Sequence, residues 1–374
     1  MTSGERERVE TIVIGGGQAG LSVGYYLAQR ELPFVILDAN EQIGDAWRNR
    51  WDSLRLFTPR RFDGLAGVPF PGPSDSFPSK DEVGDYLEAF AARFELPIRT
   101  GTRVLRLAKN EEGFVVTTGD RRIESHNVVV AMGTHQIPWV PSYAAELGPV
   151  VVQMHSVEYR NPSQLREGGV LVVGVGNSGG EIALEVASSH PTWLAGKEVG
   201  HVPFRIDGAL ARFVVLPLLF RVIAQRVLTV DTRLGRKMRP KLLSRGSPLV
   251  RVRPKDLTAA GVERVSRIAG VRDGHPMTED DEVLSTVTNV VWCTGFRSDF
   301  SWIDLPVFGE TEPRHYRGIV AEEPGLYSSG CIFSMRCRRG SFLASGETRS
   351  TSSSTSPPAR VASLVRPPSS RSTQ

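Results

Sequence analysis

The sequence lacks any close pair of cysteines. Its three cysteines, Cys293, Cys331 and Cys337, form no C-x-x-C motif. Their spacing excludes a disulfide framework and also the redox cysteine pair that a thioredoxin-reductase-like enzyme needs. The first ten residues are mostly charged or polar and lead straight into an apolar run, so no secretory signal is expected. A reducing, cytoplasmic location is therefore predicted.

The sequence also lacks a long uninterrupted hydrophobic run. Its most apolar stretch, residues 213–230, is interrupted by Pro217, Arg221, Gln225 and Arg226. Charged side chains near the middle of a membrane span are costly, so no integral membrane span is predicted. A buried or lid-forming helix is the expected use of this stretch. A surface that touches a membrane or an apolar substrate is the alternative.

Basic residues are not gathered into a stripe, although the net charge is +4. Residues 328–374 contain seven arginines and one acidic residue, a net charge of +6, which leaves −2 for residues 1–327. This distribution excludes a nucleic-acid-binding surface in the main part of the chain. The seven histidines show no metal-ligand spacing, so no metal site is predicted either.

What the sequence does contain is a glycine loop between two apolar runs, residues 11–14 and 34–37. The loop follows the pattern G-x-G-x-x-G, with Gly15, Gly17 and Gly20, and an amphipathic helix pattern continues to residue 30. In such a unit the helix N-terminus binds a pyrophosphate. Asp38 follows the second run, 18 residues after Gly20, where an acid binds the adenosine ribose. The spacing predicts a dinucleotide site.

A second glycine loop repeats this pattern later in the chain, with Gly174, Gly176 and Gly179. It follows the apolar run 170–173 and precedes a helix pattern that continues to residue 188. The next run, residues 192–195, leads to Lys197 and not to an acid. An ammonium group there suits a ribose 2′-phosphate, which favours NADPH over NADH. An ordinary surface lysine beside Glu198 is the alternative.

Two dinucleotide sites in one chain predict electron transfer between two dinucleotides, usually a tightly held FAD and a visiting nicotinamide. Strands that alternate with helices predict an α/β protein with two nested doubly wound, Rossmann-type domains. Glycine spacing alone does not indicate which site binds which dinucleotide.

Further motifs accompany the two loops in a fixed order. They are GDAWRNRWDSLRLFTPRRFDGLAGVPFPG (44–72), FPSKDEVGDYL (77–87), VVVAMGTHQIPWVP (128–141), HSVEY (155–159) and NVVWCTGF (289–296). In this order they resemble the flavin-containing monooxygenases, and more closely a bacterial branch related to the auxin-forming plant enzymes. The resemblance extends from about residue 10 to Tyr327.

This resemblance implies that the first loop binds FAD and the second binds NADPH. The residues implied at the FAD site are Gly15, Gly17, Gln18, Ala19, Gly20, Asp38, Trp47, Arg55, Val104 and Gly133. Those implied for NADPH, or for the crossing between the domains, are Gly174, Gly176, Asn177, Ser178, Gly179, Lys197 and Gly295. Gly133 and Gly295 would let the backbone pass close to a cofactor, and a tight turn after a strand is a compatible reading. Without the resemblance, the segment around Trp47, with Arg48, Arg50 and Arg55, indicates a solvated basic face.

The chemistry that the resemblance implies is hydride transfer from NADPH to FAD, followed by O₂ addition to give a C4a-hydroperoxyflavin. This species would oxygenate a small lipophilic amine, sulfide, acid or carbonyl compound. Because the flavin carries the chemistry, no catalytic side chain is assigned. The implied partners are this organic substrate and O₂, and a homodimer is compatible with the resemblance.

Two departures from the family pattern leave other functions open. The family fingerprint begins F-x-G before its histidine, where this chain has Pro149 and Val151. The position near the flavin at which many members have Asn or His is Phe57, which donates no hydrogen bond. A flavin reductase or NADPH oxidase without productive oxygenation is one alternative, and an inactive remnant is another. For the fingerprint residue His155, the start of a helix capped by Ser156 is the alternative.

The expected domain order is discontinuous. The FAD-binding domain covers residues 8–160 and resumes at 288–327. The NADPH-binding domain covers 165–287, with an apolar insertion at 205–250 that is hypothesised to cap the substrate entrance. Residues 328–374 contain 14 serines and no strand or helix periodicity, which predicts an aberrant, disordered tail.

A frameshift immediately after Tyr327 is predicted to have produced this tail. With permitted codons, the frame that begins one nucleotide earlier can encode a strand, a glycine turn and GVGGDAEY, the G-x-G-x-D-A pattern that the family carries at this point. The gene sequence tests the prediction. A stop codon in that frame, or the absence of GVGGDAEY from it, would refute the frameshift.

Overall fold

The computed structural model describes residues 7–329 apart from residues 66, 120, 134, 309–312, 316–317 and most of 205–247. The described helices are α1 (Gln18–Ala28), α2 (Asp45–Arg48), α3 (Lys80–Arg93), α4 (Asn177–Val186) and α5 (Pro254–Ala259), with 3₁₀ turns at Arg60–Phe62, Ser142–Glu146 and Pro162–Gln164. The described strands are β1 (Glu7–Ile14), β2 (Phe34–Leu37), β3 (Ile98–Arg99), β4 (Arg106–Asn110), β5 (Gly113–Thr117), β6 (Arg122–Val130), β7 (Ile137–Pro138), β8 (Val152–His155), β9 (Gly169–Val173), β10 (Thr192–Ala195), β11 (Glu263–Val265), β12 (Ile268–Arg272), β13 (His275–Thr278), β14 (Val287–Trp292), β15 (Phe296–Arg297) and β16 (Leu326–Ser328).

The first sheet has the strand order β3-β2-β1-β6-β5-β4, and β16 pairs with the end of β6. β1, β2, β3, β6 and β16 pair in parallel, whereas β4 and β5 add an antiparallel extension to β6. One face of the sheet packs on side chains of α1 and α3, including Leu21 and Phe90. The cluster on the other face also includes side chains of β4 and β5 and of the segment around Ile303. Because both faces are covered, the central strand β1 reads as a continuous apolar run from Ile12 to its end.

The second sheet has the order β11-β10-β9-β14-β8, and all four of its pairings are parallel. All five residues of β9 are buried, as expected for a central parallel strand. Ile182 of α4 and Leu257 of α5 cover one face, and Leu284 and Trp292 belong to the cluster on the other. The α/β class and the two Rossmann-type sheets predicted from the sequence are confirmed.

The chain leaves the first sheet after β6, builds the second sheet from β8 to β14, and returns to the first sheet with β16. β8 and β14 lie in the second sheet, whereas the ranges predicted for the FAD-binding domain include β8 and nearly all of β14. Both strands lie in the second sheet because β14 pairs with β9 on one side and with β8 on the other. Trp292 is in register with Val173 of β9 and with His155 of β8. An apolar strand does not itself indicate which of two sheets it joins.

The predicted tail begins inside regular structure. Ser328 ends β16 in register with Val130, and the N–H of the buried Ser329 donates to Val130 O at 2.8 Å. Residues 330–374 of that tail lie outside the described residues, as does most of the predicted insertion 205–250. In the described part of the chain, no helix has both the length and the hydropathy needed to cross a membrane.

Candidate dinucleotide sites and the junction between them

The first glycine loop brings α1 into direct contact with the end of β1. Gly15 has a φ of +108°, and its N–H donates to Leu37 O at 2.8 Å. A Cβ atom on Gly20 would lie 1.8 Å from Gly15 O. No side chain fits in that space, so the packing of the helix against the strand requires glycine at position 20.

Gly17 has a different environment although it belongs to the same motif. It is the N-cap of α1 with an ordinary φ of −75°, and a Cβ atom on it would meet no atom within 4 Å. No side chain caps this helix, and its first turn, which includes Gln18 and Ala19, contains no acidic residue. The free N–H groups and the positive end of the helix dipole therefore face open space that fits a diphosphate.

The second glycine loop reproduces this geometry. Gly174 has a φ of +114°, and its N–H donates to Ala195 O at 2.9 Å. A Cβ atom on Gly179 would lie 1.7 Å from Gly174 O, whereas one on Gly176, the N-cap of α4, would meet nothing within 4 Å. The second loop fits a diphosphate for the same physical reason as the first.

Asn177 and Ser178 form the first turn of α4, but the Asn177 side chain is directed to another segment. Its Oδ1 accepts the N–H of Val250 at 2.8 Å, and its Nδ2 donates to Pro248 O at 3.1 Å. Asn177 therefore holds the C-terminal end of the predicted insertion, residues 248–250, against the second loop. Ser178 is half-buried in the same turn.

Asp38, which follows β2, ties its loop together. Its buried carboxylate accepts the N–H of Gly16 with Oδ2, and both the N–H and the Nδ2 of Asn40 at 2.8 Å with Oδ1. A carboxylate oxygen has two lone pairs, so Asp38 keeps acceptor capacity for a ribose.

At the corresponding place after β10, Lys197 is exposed and follows Gly196, whose carbonyl accepts Nη2 of Arg264 at 3.0 Å. The Arg264 side chain belongs to β11, the strand beside β10. Lys197 and Arg264 thus place two cations at the end of β10, and sequence reasoning found only the first of them. No sequence pattern indicates the second, because Arg264 reaches the end of β10 only through the parallel register Leu194–Arg264.

The chain passes between the sheets in two segments, the first crossing, which begins at Ala131, and the second crossing, which begins at Cys293. The two crossings start at equivalent places. The N–H of Ala131 donates to Ile14 O beside the first loop, and that of Cys293 donates to Val173 O beside the second, both at 2.8 Å. Gly133 and Gly295 have φ values of +68° and +86°, and a Cβ atom on either would meet nothing within 4 Å. The Gly295 carbonyl accepts the N–H of Trp139 at 3.0 Å and lies 3.0 Å from His155 Nε2.

His155 ends β8, and Ser156 begins a turn that is not a helix, so the N-cap alternative for this motif is wrong. The backbone N–H of His155 donates to Glu158 Oε2 at 2.7 Å. The N–H of Val157 donates to His155 Nδ1 at 3.3 Å. The ring therefore carries its proton on Nε2 and directs it at Gly295 O. This residue links the start of the second sheet to the second crossing.

The segment 44–57 contains residues with separate roles. Trp47 is half-buried in α2 and packs against the cluster that holds α1 and α3. Arg48 is ion-paired with Asp85 and Glu88 of α3, and the Asp85 hydrogen bond, followed by Glu88, raises its pKa. Arg55 is exposed and donates to Phe77 O at 3.2 Å, which connects this segment to the residues before α3.

Val104 and Phe57, the two other residues that the sequence analysis places near the flavin, differ in exposure. Val104 is half-buried against the core on the second face of the first sheet. Phe57 has 37% of its surface exposed, which is high for an aromatic ring.

A buried carboxyl lies behind the second glycine loop. Glu181 of α4 has 11% side-chain exposure, and its Oε1 has no hydrogen-bond partner, with Arg251 Nε at 3.8 Å. Burial raises the pKa of Glu181 to about 7, Arg251 lowers it and Glu185 raises it further. Arg251 also donates to Leu56 O at 3.3 Å, so it joins α4 to the segment 44–57.

Comparison with known proteins identifies the protein family. The family described as pyridine nucleotide-disulphide oxidoreductase matches residues 12–198. An uncharacterized CzcO-like oxidoreductase of Geobacillus kaustophilus is 39% identical over 342 residues, which cover 90% of this chain and 94% of the relative. The chain belongs to this oxidoreductase family.

Two further proteins that resemble this chain are named as monooxygenases. Indole-3-pyruvate monooxygenase YUCCA1 of Oryza sativa subsp. japonica is 29% identical over 334 residues, 80% of each chain. The solved structure of a flavin-containing monooxygenase from Stenotrophomonas maltophilia is 29% identical, with a TM-score of 0.66 over 86% of this chain and 90% of that one. The chain is thus a flavin-dependent oxidoreductase whose relatives include monooxygenases, and the predicted cofactors, FAD and NADPH, are confirmed.

Matched alanine substitutions should separate the two kinds of glycine in the first loop. Gly20→Ala places Cβ against Gly15 O and should lower the free energy of unfolding by about 1–3 kcal/mol, as overpacking does. Gly17→Ala enters open space, so we expect a folded protein whose affinity for FAD falls about tenfold. Thermal unfolding and flavin titration measure the two effects. Equal loss of stability in both variants would contradict this division.

Glu181 should make stability depend on pH. Its folded pKa, about 7, lies above its ordinary value of 4.5, so the folded state binds more protons and stability falls as pH rises between these values. Glu181→Gln removes this loss and should stabilise the protein at pH 8 by up to about 3 kcal/mol, with no gain below pH 4.5.

Chemical denaturation from pH 4.5 to 8 measures this difference. Glu263→Gln, at an exposed carboxyl, is the control for removing one acidic side chain. Asp63, whose pKa burial raises to about 6, remains in all these proteins and contributes the same slope to each. Parallel profiles for the parent and Glu181→Gln would contradict the assignment.

Proposed function

We propose that the chain is an NADPH-consuming monooxygenase that binds FAD at the first glycine loop and NADPH at the second. The observation that carries this assignment is the matched pair of open N-caps, Gly17 and Gly176. The residues proposed to contact FAD are Gly15, Gly17, Gln18, Ala19, Gly20, Asp38, Trp47, Arg55, Val104 and Gly133. Those proposed for NADPH and the crossing are Gly174, Gly176, Asn177, Ser178, Gly179, Lys197 and Gly295.

The proposed roles of these residues are binding, orientation and exclusion of water. The N-terminal N–H groups of α1 and α4 hold the two diphosphates, which fixes both dinucleotides relative to the sheet edges. Asp38 binds the adenosine ribose of the first. Bound FAD supplies hydride acceptance and O₂ activation, so the chain needs no side-chain nucleophile.

The cation pair after β10 supports the preference for NADPH. A ribose 2′-phosphate would meet the ammonium of Lys197 and the guanidinium of Arg264, whose position is fixed by its bond to Gly196 O. The proposed substrate is a small lipophilic amine, sulfide, acid or carbonyl compound, oxygenated in the cytoplasm.

One observation favours a second candidate, an NADPH oxidase that releases peroxide. Phe57 occupies the position at which many flavin-containing monooxygenases have Asn or His. Its ring is exposed and donates no hydrogen bond. A reaction site lacking such a donor stabilises an oxygenated flavin less well.

Labelled oxygen distinguishes the two functions. With ¹⁸O₂ and NADPH, the flavin-loaded protein should transfer label to at least one member of a panel of amines, sulfides, acids and ketones. Gly176→Ala should retain FAD and weaken NADPH binding, which makes it the matched control. If peroxide accounts for all the NADPH consumed and no product contains label, the oxidase is correct and the monooxygenase is wrong.

A further inference from the structure

The two crossings meet at one aromatic ring, Phe296. The His135 ring, from the first crossing, lies edge-on to it at 5.1 Å between centroids, and the His155 ring at 4.9 Å. The guanidinium carbon of Arg50 lies 5.3 Å from the centroid of the same ring. These four residues and the neighbouring Arg160 form what we call the crossing junction. The junction is near both glycine loops, because each crossing starts against one of them.

The arginines of the junction have no compensating acid among the residues that the structure describes. Half-buried Arg50 donates Nε to Ala46 O at 3.1 Å, and Arg160 donates Nη1 to Val157 O at 2.7 Å. Burial, followed by the charge of Arg160, lowers the pKa of Arg50. The positive charge of Arg160 disfavours that of Arg50, and an added anion would relieve this repulsion.

The carboxylates that lie two residues from Arg50 and Arg160 in the sequence, Asp52 and Glu158, accept hydrogen bonds from other groups. Glu158 Oε2 accepts the backbone N–H of His155 at 2.7 Å, and Asp52 Oδ2 accepts Nδ2 of Asn161 at 2.7 Å. His155 does not supply a charge either, because burial lowers its pKa and Arg50 acts in the same direction, against the opposing effects of Gly295 O and Glu158. The junction is thus a cationic, partly desolvated place with donors to spare on Arg50.

We propose that Arg50, supported by Arg160, binds an oxyanion at the crossing junction. The oxyanion is either the carboxylate of the oxygenated substrate or a phosphate of the visiting nicotinamide dinucleotide. This inference rests on the proposed function, since both ligands belong to it. A planar guanidinium binds either group with two parallel hydrogen bonds, and such bonds strengthen where water is partly excluded. The N-termini of α1 and α4 and the pair Lys197 and Arg264 each face only part of a phosphate group, so Arg50 is either an additional partner of a dinucleotide phosphate or the first partner of a substrate carboxylate.

Binding measurements without turnover test the proposal. Calorimetry gives the affinity for NADP⁺, and flavin absorbance gives the affinity for 3-phenylpropanoate and for its neutral amide. Arg50→Gln should weaken at least one of the two anions by about ten- to a hundredfold and leave the amide unchanged. Arg50→Lys, which keeps the charge but loses the fork, should fall between the two. Arg93→Gln is the matched control, because Arg93 is exposed and lies over Phe94 at 5.9 Å, away from the junction.

The pattern of loss identifies the oxyanion. Weaker NADP⁺ alone assigns a dinucleotide phosphate, weaker carboxylate alone assigns the substrate, and affinities of both anions within about twofold of the parent overturn the proposal. The unmodified protein gives an independent answer if Arg50→Gln does not fold. A bound anion should raise the pKa of His155, which a histidine NMR titration measures. An unchanged pKa of His155 when both ligands are saturating would also overturn the proposal.

These outcomes are distinct from failure of the proposed function. A protein without FAD, or one that transfers no label from O₂, fails the monooxygenase assignment whatever the affinity of NADP⁺. A flavin-loaded protein that oxygenates a substrate and binds anions equally well without Arg50 fails only the present inference.

Discussion

Helices α1 and α4 reach the ends of their strands only because no side-chain atom stands between each helix and a backbone carbonyl. In both loops the third glycine of the motif faces the carbonyl of the first at a distance that excludes even a methyl group. This contact sets the tilt and height of each helix above its sheet. The free N–H groups of the helix then point to the edge where the central strands end. Both candidate sites therefore depend on a steric constraint that operates before any ligand binds.

The same edges organise the path of the chain between the sheets. Each crossing starts by hydrogen bonding to the strand that leads into a glycine loop, so the loops and the crossings form one continuous layer. His155, Gly295 and Phe296 connect the ends of this layer through a ring N–H and two edge-on aromatic contacts. A motion of one sheet against the other would have to change these contacts. The position of Arg50 is fixed by the same group of residues, which makes it sensitive to the relative placement of the two sheets.

The sequence predicted the features that depend on local sterics and on short chain distances. Gly20 and Gly179 are required by contacts within six residues, and Asp38 terminates a strand at a fixed distance from the loop. The features it did not predict depend on register and burial. Arg264 approaches the end of β10 only through strand pairing, and β8 joins the second sheet only because β14 lies between it and β9. The burial of Glu181 is likewise invisible in a helical pattern, since its position relative to Arg251 is set by a segment 70 residues away.

Asp38 has a consequence for the kinetics of cofactor exchange. One of its oxygens holds the backbone of the glycine loop and the other holds Asn40, so the loop is already ordered by the residue that is proposed to bind the ribose. Ligand binding then loses little conformational entropy, because the chain was fixed during folding. Affinity gained by such preorganisation appears mainly as a slow dissociation rate. This order in the first loop agrees with the proposal that it holds a resident FAD, and the exposure of Lys197 agrees with the proposal that the second loop receives a dinucleotide that arrives and leaves in every cycle.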